Sequence, residues 1–178
     1  MNSSVIVKII SIVFVVSVLF AGNGNATSDP LPVTPVQNVD LARYMGLWYE
    51  IARLEHFFQE GCRGSTASYT LSPTGEIEII NRCVKEKDNS LRSAKGRAWS
   101  VDPKGNARLK VSFFWPFRTD YWIIDLGRDY EYAVVGSPNR KYLWILARKP
   151  EMEKDVYKHI LELVAKQGFD VGKLVRKP

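Results

Sequence analysis

The chain has 178 residues, 46% of them hydrophobic and 25% charged, enough for one domain with a full core. That balance excludes a disordered chain, a collagen-like chain and a multi-span membrane protein. The net charge of +6 comes from scattered Lys and Arg, not from a basic block, so it points away from nucleic acid and towards anionic lipid head groups or membrane surfaces.

Residues 1–26 carry Lys8 as their single charge, then an apolar run at 9–21 and a Gly/Asn stretch ending at Ala26. This is the layout of a secretory signal cut after Ala26. A retained anchor is the alternative, but the run is short of the roughly 20 residues a span needs. Cleavage lowers the charge from +6 to +5, because the segment holds one lysine and no acid. No Cys follows the apolar run, so it offers no site for an acylated N-terminus. Residues 27–38, with Pro30, Pro32 and Pro35 and no periodicity, read as an extended, poorly ordered leader, and 39–178 as the folded domain.

Short apolar runs then alternate with turn signals. They predict eight strands, at 47–54, 65–71, 76–84, 94–101, 107–114, 121–126, 132–136 and 141–148. Turn residues at 72–75, 102–105, 127–129 and 137–139 keep the connections short, which implies up-and-down antiparallel pairing. The period then lengthens. Met152, Val156, Ile160, Leu163 and Val164 recur at helical spacing, Pro150 suits the first helical position, and Gly168-Phe169 reads as the stop. The fold class is therefore all-β, an antiparallel barrel or sandwich with one C-terminal amphipathic helix outside it.

Alternation assigns the faces. Leu109, Val111 and Phe113 point inward. Tyr142, Trp144, Leu146 and Arg148 share one face of the last strand, and Leu143, Ile145 and Ala147 the other; both are largely apolar, as for a strand between barrel interior and helix. The first strand sets Trp48, Glu50 and Ala52 against Tyr49, Ile51 and Arg53. An eight-stranded barrel either fills with side chains or holds one small ligand. Inward Ala67, Gly96 and Ala98 favour a cavity. Its expected lining is Ala67, Tyr69, Ile79, Leu109, Val111, Phe113, Tyr121, Ile123, Tyr142 and Trp144, which suits an acyl chain better than a sugar or nucleotide. Phe57 and Phe58, in a loop at 55–61, read as a lid over the ligand, a lip touching membrane, or packing on the rim. Arg63, Lys95 and Arg97 are candidates to hold a carboxylate or phosphate.

Cys62 and Cys83 are the only cysteines, and an even count in an exported protein predicts a disulfide. They fall within about two residues of facing each other across a hairpin, but Cys62 is off the parity of Ala67 unless a bulge or loop intervenes. Metal-site spacing is absent. His56 near Cys62 is the one hint of a nucleophile–base pair, and Glu50 on the inner parity reads as a hydrogen-bonded acid near the barrel floor, so no enzyme is expected; an enzyme using the barrel pocket is the alternative. A homodimer through Trp99 and Trp122, on the outward parity, stays open.

Gly46-Leu47-Trp48 opens the first strand, Thr119-Asp120-Tyr121 enters the sixth and Arg148 ends the eighth. In that order, on eight strands and a helix, these residues resemble the signature of the lipocalins, over roughly residues 38–176. Residues 48–53, 110–114, 142–148 and 168–170 are most similar to the bacterial lipocalins. The resemblance implies an eight-stranded lipocalin barrel that binds fatty acids or lysophospholipids without a cofactor and serves envelope maintenance. Haem or a retinoid-like pigment is the alternative ligand class. It also implies an exported protein, periplasmic or secreted and in contact with the outer membrane, although the acylated Cys of many members is missing. Trp48 should plug the closed end of the barrel. Arg148 should lie over its indole and cap carbonyls near 41–45; a carboxylate clamp is its alternative role. Thr119 and Asp120 should sit in the loop beside that end.

Overall fold

The computed structural model describes residues 31–176. The expected signal at 1–26 and its cleavage lie outside them. After the short helix α1 (Leu41–Tyr44) come β1 (Gly46–Leu54), β2 (Cys62–Leu71), β3 (Ile77–Lys85), β4 (Leu91–Ser100), β5 (Arg108–Phe114), β6 (Phe117–Leu126), β7 (Tyr132–Gly136) and β8 (Leu143–Ala147). Helix α2 (Lys154–Lys166) and the two-residue β9 (Leu174–Val175) follow. Neighbouring strands pair antiparallel from β2 to β8, and β1 pairs with both β8 and β2, which closes the barrel.

The alternation creates two apolar layers. Trp48, Ile79, Leu109, Val111, Ile123, Val135 and Leu146 point into the barrel. Ala52, Ile124, Val134, Leu143 and Ile145 point outward, where Ile160, Val164 and Phe169 cover them. α2 begins at Lys154, four residues later than Pro150 suggested, with Glu153 as a cap that makes no side-chain bond. Its end follows the expected pattern: Gly168 has φ 81°, and the Phe169 N–H donates to the Val164 carbonyl at 3.0 Å. Trp122, expected on the outer surface, is half-buried against this helix-side layer.

Two departures from simple alternation matter. The β1–β8 register shifts between Glu50 and Ala52. That bulge turns Ala52 outward beneath α2 and leaves Arg53, expected outside, fully buried against Glu50. Beyond Tyr49 the free edge of β1 is taken by β9, which pairs at Arg53 and Leu54; two residues are too few for periodicity to reveal.

Residues 31–38 form no regular element, but the poor order expected of them is not what they show. Val36 N–H donates to the Ile123 carbonyl at 2.9 Å, Val33 is buried, and Arg140 holds the Leu31 carbonyl at 2.8 Å.

The closed end is built around Trp48 and Arg148. The Arg148 guanidinium lies 3.7 Å from the Trp48 ring centroid and donates to the carbonyls of Leu47 at 2.9 Å and Arg43 at 2.7 Å. Gly46 has φ 96°, and a Cβ there would meet Arg148 Nη1 at 3.3 Å, so glycine serves both the turn and the passing side chain. Thr119 and Asp120 are not beside this end. They lie inside β6 towards the open end, where Asp120 pairs with Lys110 at 2.7 Å. The Asp-Tyr pair that attends Arg148 is Asp129-Tyr130: Arg148 donates to the Tyr130 carbonyl at 3.3 Å, and the Tyr130 hydroxyl accepts from Asp40 N–H at 2.8 Å. Arg148→Ala removes the ring contact and these carbonyl partners together, so urea denaturation should show a loss of about 2–4 kcal/mol.

Candidate ligand-binding site

Above the packed floor the barrel stays open. A cavity of about 480 Å³ occupies its upper half, within the range of small-molecule sites. Ala67, Tyr69, Ile79, Val111, Phe113, Tyr121, Tyr142 and Trp144 line it, and Phe57 and Phe58 stand at its mouth. Leu109 and Ile123, expected in the lining, point inward one layer too deep. Leu109 borders only a gap of about 10 Å³ in the floor, and Ile123 is fully buried there.

The small residues do not all serve the cavity. Ala67 and Ala94 open its wall, but Ala98 belongs to the floor. Gly96 is a socket for Phe113, whose ring would meet an added Cβ at 2.7 Å. Facing residues explain both cases, and one strand's alternation carries no information about them.

Three tyrosines form the cavity floor's polar element. The Tyr121 hydroxyl is 2.8 Å from that of Tyr44 and 3.0 Å from that of Tyr69. Burial pushes the Tyr69 phenol up to about 12 and raises those of Tyr44 and Tyr121 well above the ordinary phenol value, so all three stay neutral.

At the mouth, the single 3-10 turn Phe57–Gln59 is tied to the wall by Gln59. Its amide donates to Glu50 Oε2 at 2.7 Å and accepts from Trp144 Nε1 at 3.0 Å. Glu50 also bonds Arg53, so this inward acid ties the Phe57–Gln59 turn to β1. Arg63, Lys95 and Arg97 do not line the cavity. Arg63 binds Asn89 at 2.9 Å and Arg97 pairs with Glu76 at 3.6 Å. The arginines that do border it are Arg82, Arg92 and Arg118, and none is held in an ion pair among the described residues. Their strand positions carried no signal separating them from other exposed cations.

Cys62 and Cys83 form a disulfide, which leaves His56 no thiol to activate. A register shift between Arg63 and Thr66 resolves the parity conflict of Cys62. The bond spans 21 residues, and loop closure of that length stabilises by about 3 kcal/mol. Reduction should therefore lower the urea midpoint measurably without unfolding the barrel.

His56 is buried, stacks on Phe58 at 3.7 Å, and neither ring nitrogen has a partner. Burial first, and the Arg53 charge second, lower its pKa from 6.5 to about 4. The unfolded chain therefore takes up a proton that the buried imidazole refuses. Stability is full above 6.5 and falls as pH drops towards 4. Urea midpoints measured from about pH 7 to about pH 4.5 should decline, and His56→Phe should flatten that slope.

A family model described as a lipocalin-like domain matches residues 39–178. The chain is 40% identical over 153 residues to the outer membrane lipoprotein Blc of Escherichia coli (strain K12), covering 84% of this chain and 86% of that one. It is 38% identical over 152 residues to temperature-induced lipocalin-1 of Arabidopsis thaliana, covering 80% and 81%. Insecticyanin from the tobacco hornworm Manduca sexta has the same fold, with a TM-score of 0.67 at 21% identity over 82% of this chain and 84% of that one.

Proposed function

Because the chain belongs to the lipocalin family, we propose that it binds one single-chain amphipathic lipid, a long-chain fatty acid or a lysophospholipid, and carries it in support of membrane upkeep. The observation that carries this reading is the 480 Å³ cavity, apolar along its depth and bordered at its mouth by Arg82, Arg92 and Arg118. An acyl chain matches the depth and an anionic head group the mouth. Each buried methylene contributes about 0.8 kcal/mol, enough for a long chain to reach micromolar affinity after association costs.

The likeness to an outer membrane lipoprotein supports an exported protein working in or near an envelope. Both cysteines are engaged in the disulfide, and in this reading the membrane contact is peripheral. The role read here is carriage, with Glu50 and the two cysteines in structural bonds.

Native mass spectrometry of the delipidated protein with palmitate or a palmitoyl lysophospholipid tests the reading. The expected spectrum shows one ligand per chain. A chain that stays bare with both overturns it.

A further inference from the structure

The side chains that ring the cavity mouth are more apolar than a ligand requires. Phe57, Leu91, Phe114, Trp115 and Phe117 are the five most exposed large apolar side chains among the described residues, each between 67% and 82% exposed. They lie in or at the strand ends flanking three separate connections, β1–β2, β3–β4 and β5–β6, and all three connections are at the open end. The apolar side chains exposed at the closed end, Leu47, Leu71 and Val101, reach at most 48%. Leu91 and Trp115 do not line the cavity, so ligand contact does not account for them. Large exposed apolar side chains gathered at one end of a folded chain point to a contact site.

The charge of this end names the partner. Arg63, Lys85, Lys87 and Lys141 balance Glu55, Glu60, Glu86 and Asp88, Arg140 is held on the Gln167 and Leu31 carbonyls, and Arg82, Arg92 and Arg118 add to the excess. Aromatic side chains among cations suit the interface of a bilayer that carries negative head groups. A second copy of this chain fits less well, because a twofold contact through the mouth would set the same arginines against each other.

We propose that the open end docks on an anionic membrane surface, with Phe57, Leu91, Phe114, Trp115 and Phe117 at head-group depth and the three arginines on the phosphates. The cavity mouth then opens into the lipid, and a single-chain lipid passes between bilayer and barrel without crossing water. The purpose of docking rests on the carriage reading, whereas the surface stands on its own observations.

Sedimentation with vesicles tests this, using the full protein as it is exported. Wild type should partition about tenfold or more in favour of phosphatidylcholine vesicles containing phosphatidylglycerol over phosphatidylcholine alone, with the preference shrinking as salt rises. The double variant Leu91→Asp/Trp115→Asp should lose about tenfold or more of that partition while its affinity for palmitate in solution stays within about twofold. Trp115→Ser alone should act in the same direction, and it replaces the double variant if circular dichroism shows that one unfolded. Ala67→Trp should do the reverse, keeping vesicle binding and losing palmitate, which separates failure of docking from failure of carriage. Wild type that ignores vesicles, or variants that sediment like wild type, would overturn the proposal. So would equal binding to both vesicle types, or a wild-type dimer that the double variant converts to monomer.

Discussion

Ala67→Trp should abolish lipid binding while leaving the barrel folded. Ala67 faces Trp48 across β1 and Asn81 across β3, and its methyl group forms part of the cavity wall. An indole at that point projects into open space, not into packed side chains, so it displaces the acyl chain at small cost to the fold. Affinity for palmitate should fall by about a hundredfold or more, because several methylenes at about 0.8 kcal/mol each lose their place. Ala98→Trp is the informative contrast. Ala98 sits beside Ile77 and Leu109 around a gap of only about 10 Å³. A Trp there overpacks the floor, at about 1–3 kcal/mol or more, and unfolding at lower urea should be its main phenotype.

The largest stability effect should come from Glu50→Gln. Glu50 and Arg53 are both buried, with side chains 6% and 0% exposed. Arg53 also donates to the Gln59 carbonyl at 3.2 Å, and Glu50 accepts from the Gln59 amide. The variant keeps the size of the side chain but leaves a guanidinium buried without its counter-charge, at about 3–5 kcal/mol. It also loosens Gln59 and the lid turn that Gln59 holds. Glu50→Gln/Arg53→Met removes both charges and should recover much of the loss. Urea denaturation of the two singles and the double measures that coupling directly.

Much of the fold is legible before any coordinates are known, for reasons that differ by element. β5 and β8 read correctly because strict alternation sorts Val111 and Trp144 inward and Ile145 beneath the helix. α2 reads because its apolar stripe is long and Gly168 marks its end; Pro150 misplaces the start because a proline suited to a first helical turn suits the preceding loop equally well. β1 fails at its bulge, since one inserted residue reverses the parity of everything after it, and no residue type announces the insertion. The closed-end motif fails differently. Thr119-Asp120-Tyr121 and Asp129-Tyr130 both place Asp before Tyr near a strand end, and only the tertiary contact with Arg148 separates them.

The cavity shows the same limit. Which residues face inward follows from period two, but how deep the packed floor reaches depends on what fills it from the facing strands. Leu109, Ile123 and Ala98 therefore belong to the floor, and Gly96 to the Phe113 ring. The mouth arginines lie within β3, β4 and β6 towards the open end, and alternation does not tell them from other exposed cations.

Trp144 lines the cavity, which makes it a reporter of what enters. Fluorescence quenching by a stearate brominated along its chain is the most direct measurement of the central claim, because bromine quenches only indoles it approaches. Quenching should saturate at one stearate per chain, and Trp144→Phe should remove most of it while stearate still competes for the site. Quenching that never saturates, or that survives both Trp144→Phe and Ala67→Trp unchanged, would place the lipid outside the barrel and contradict the account.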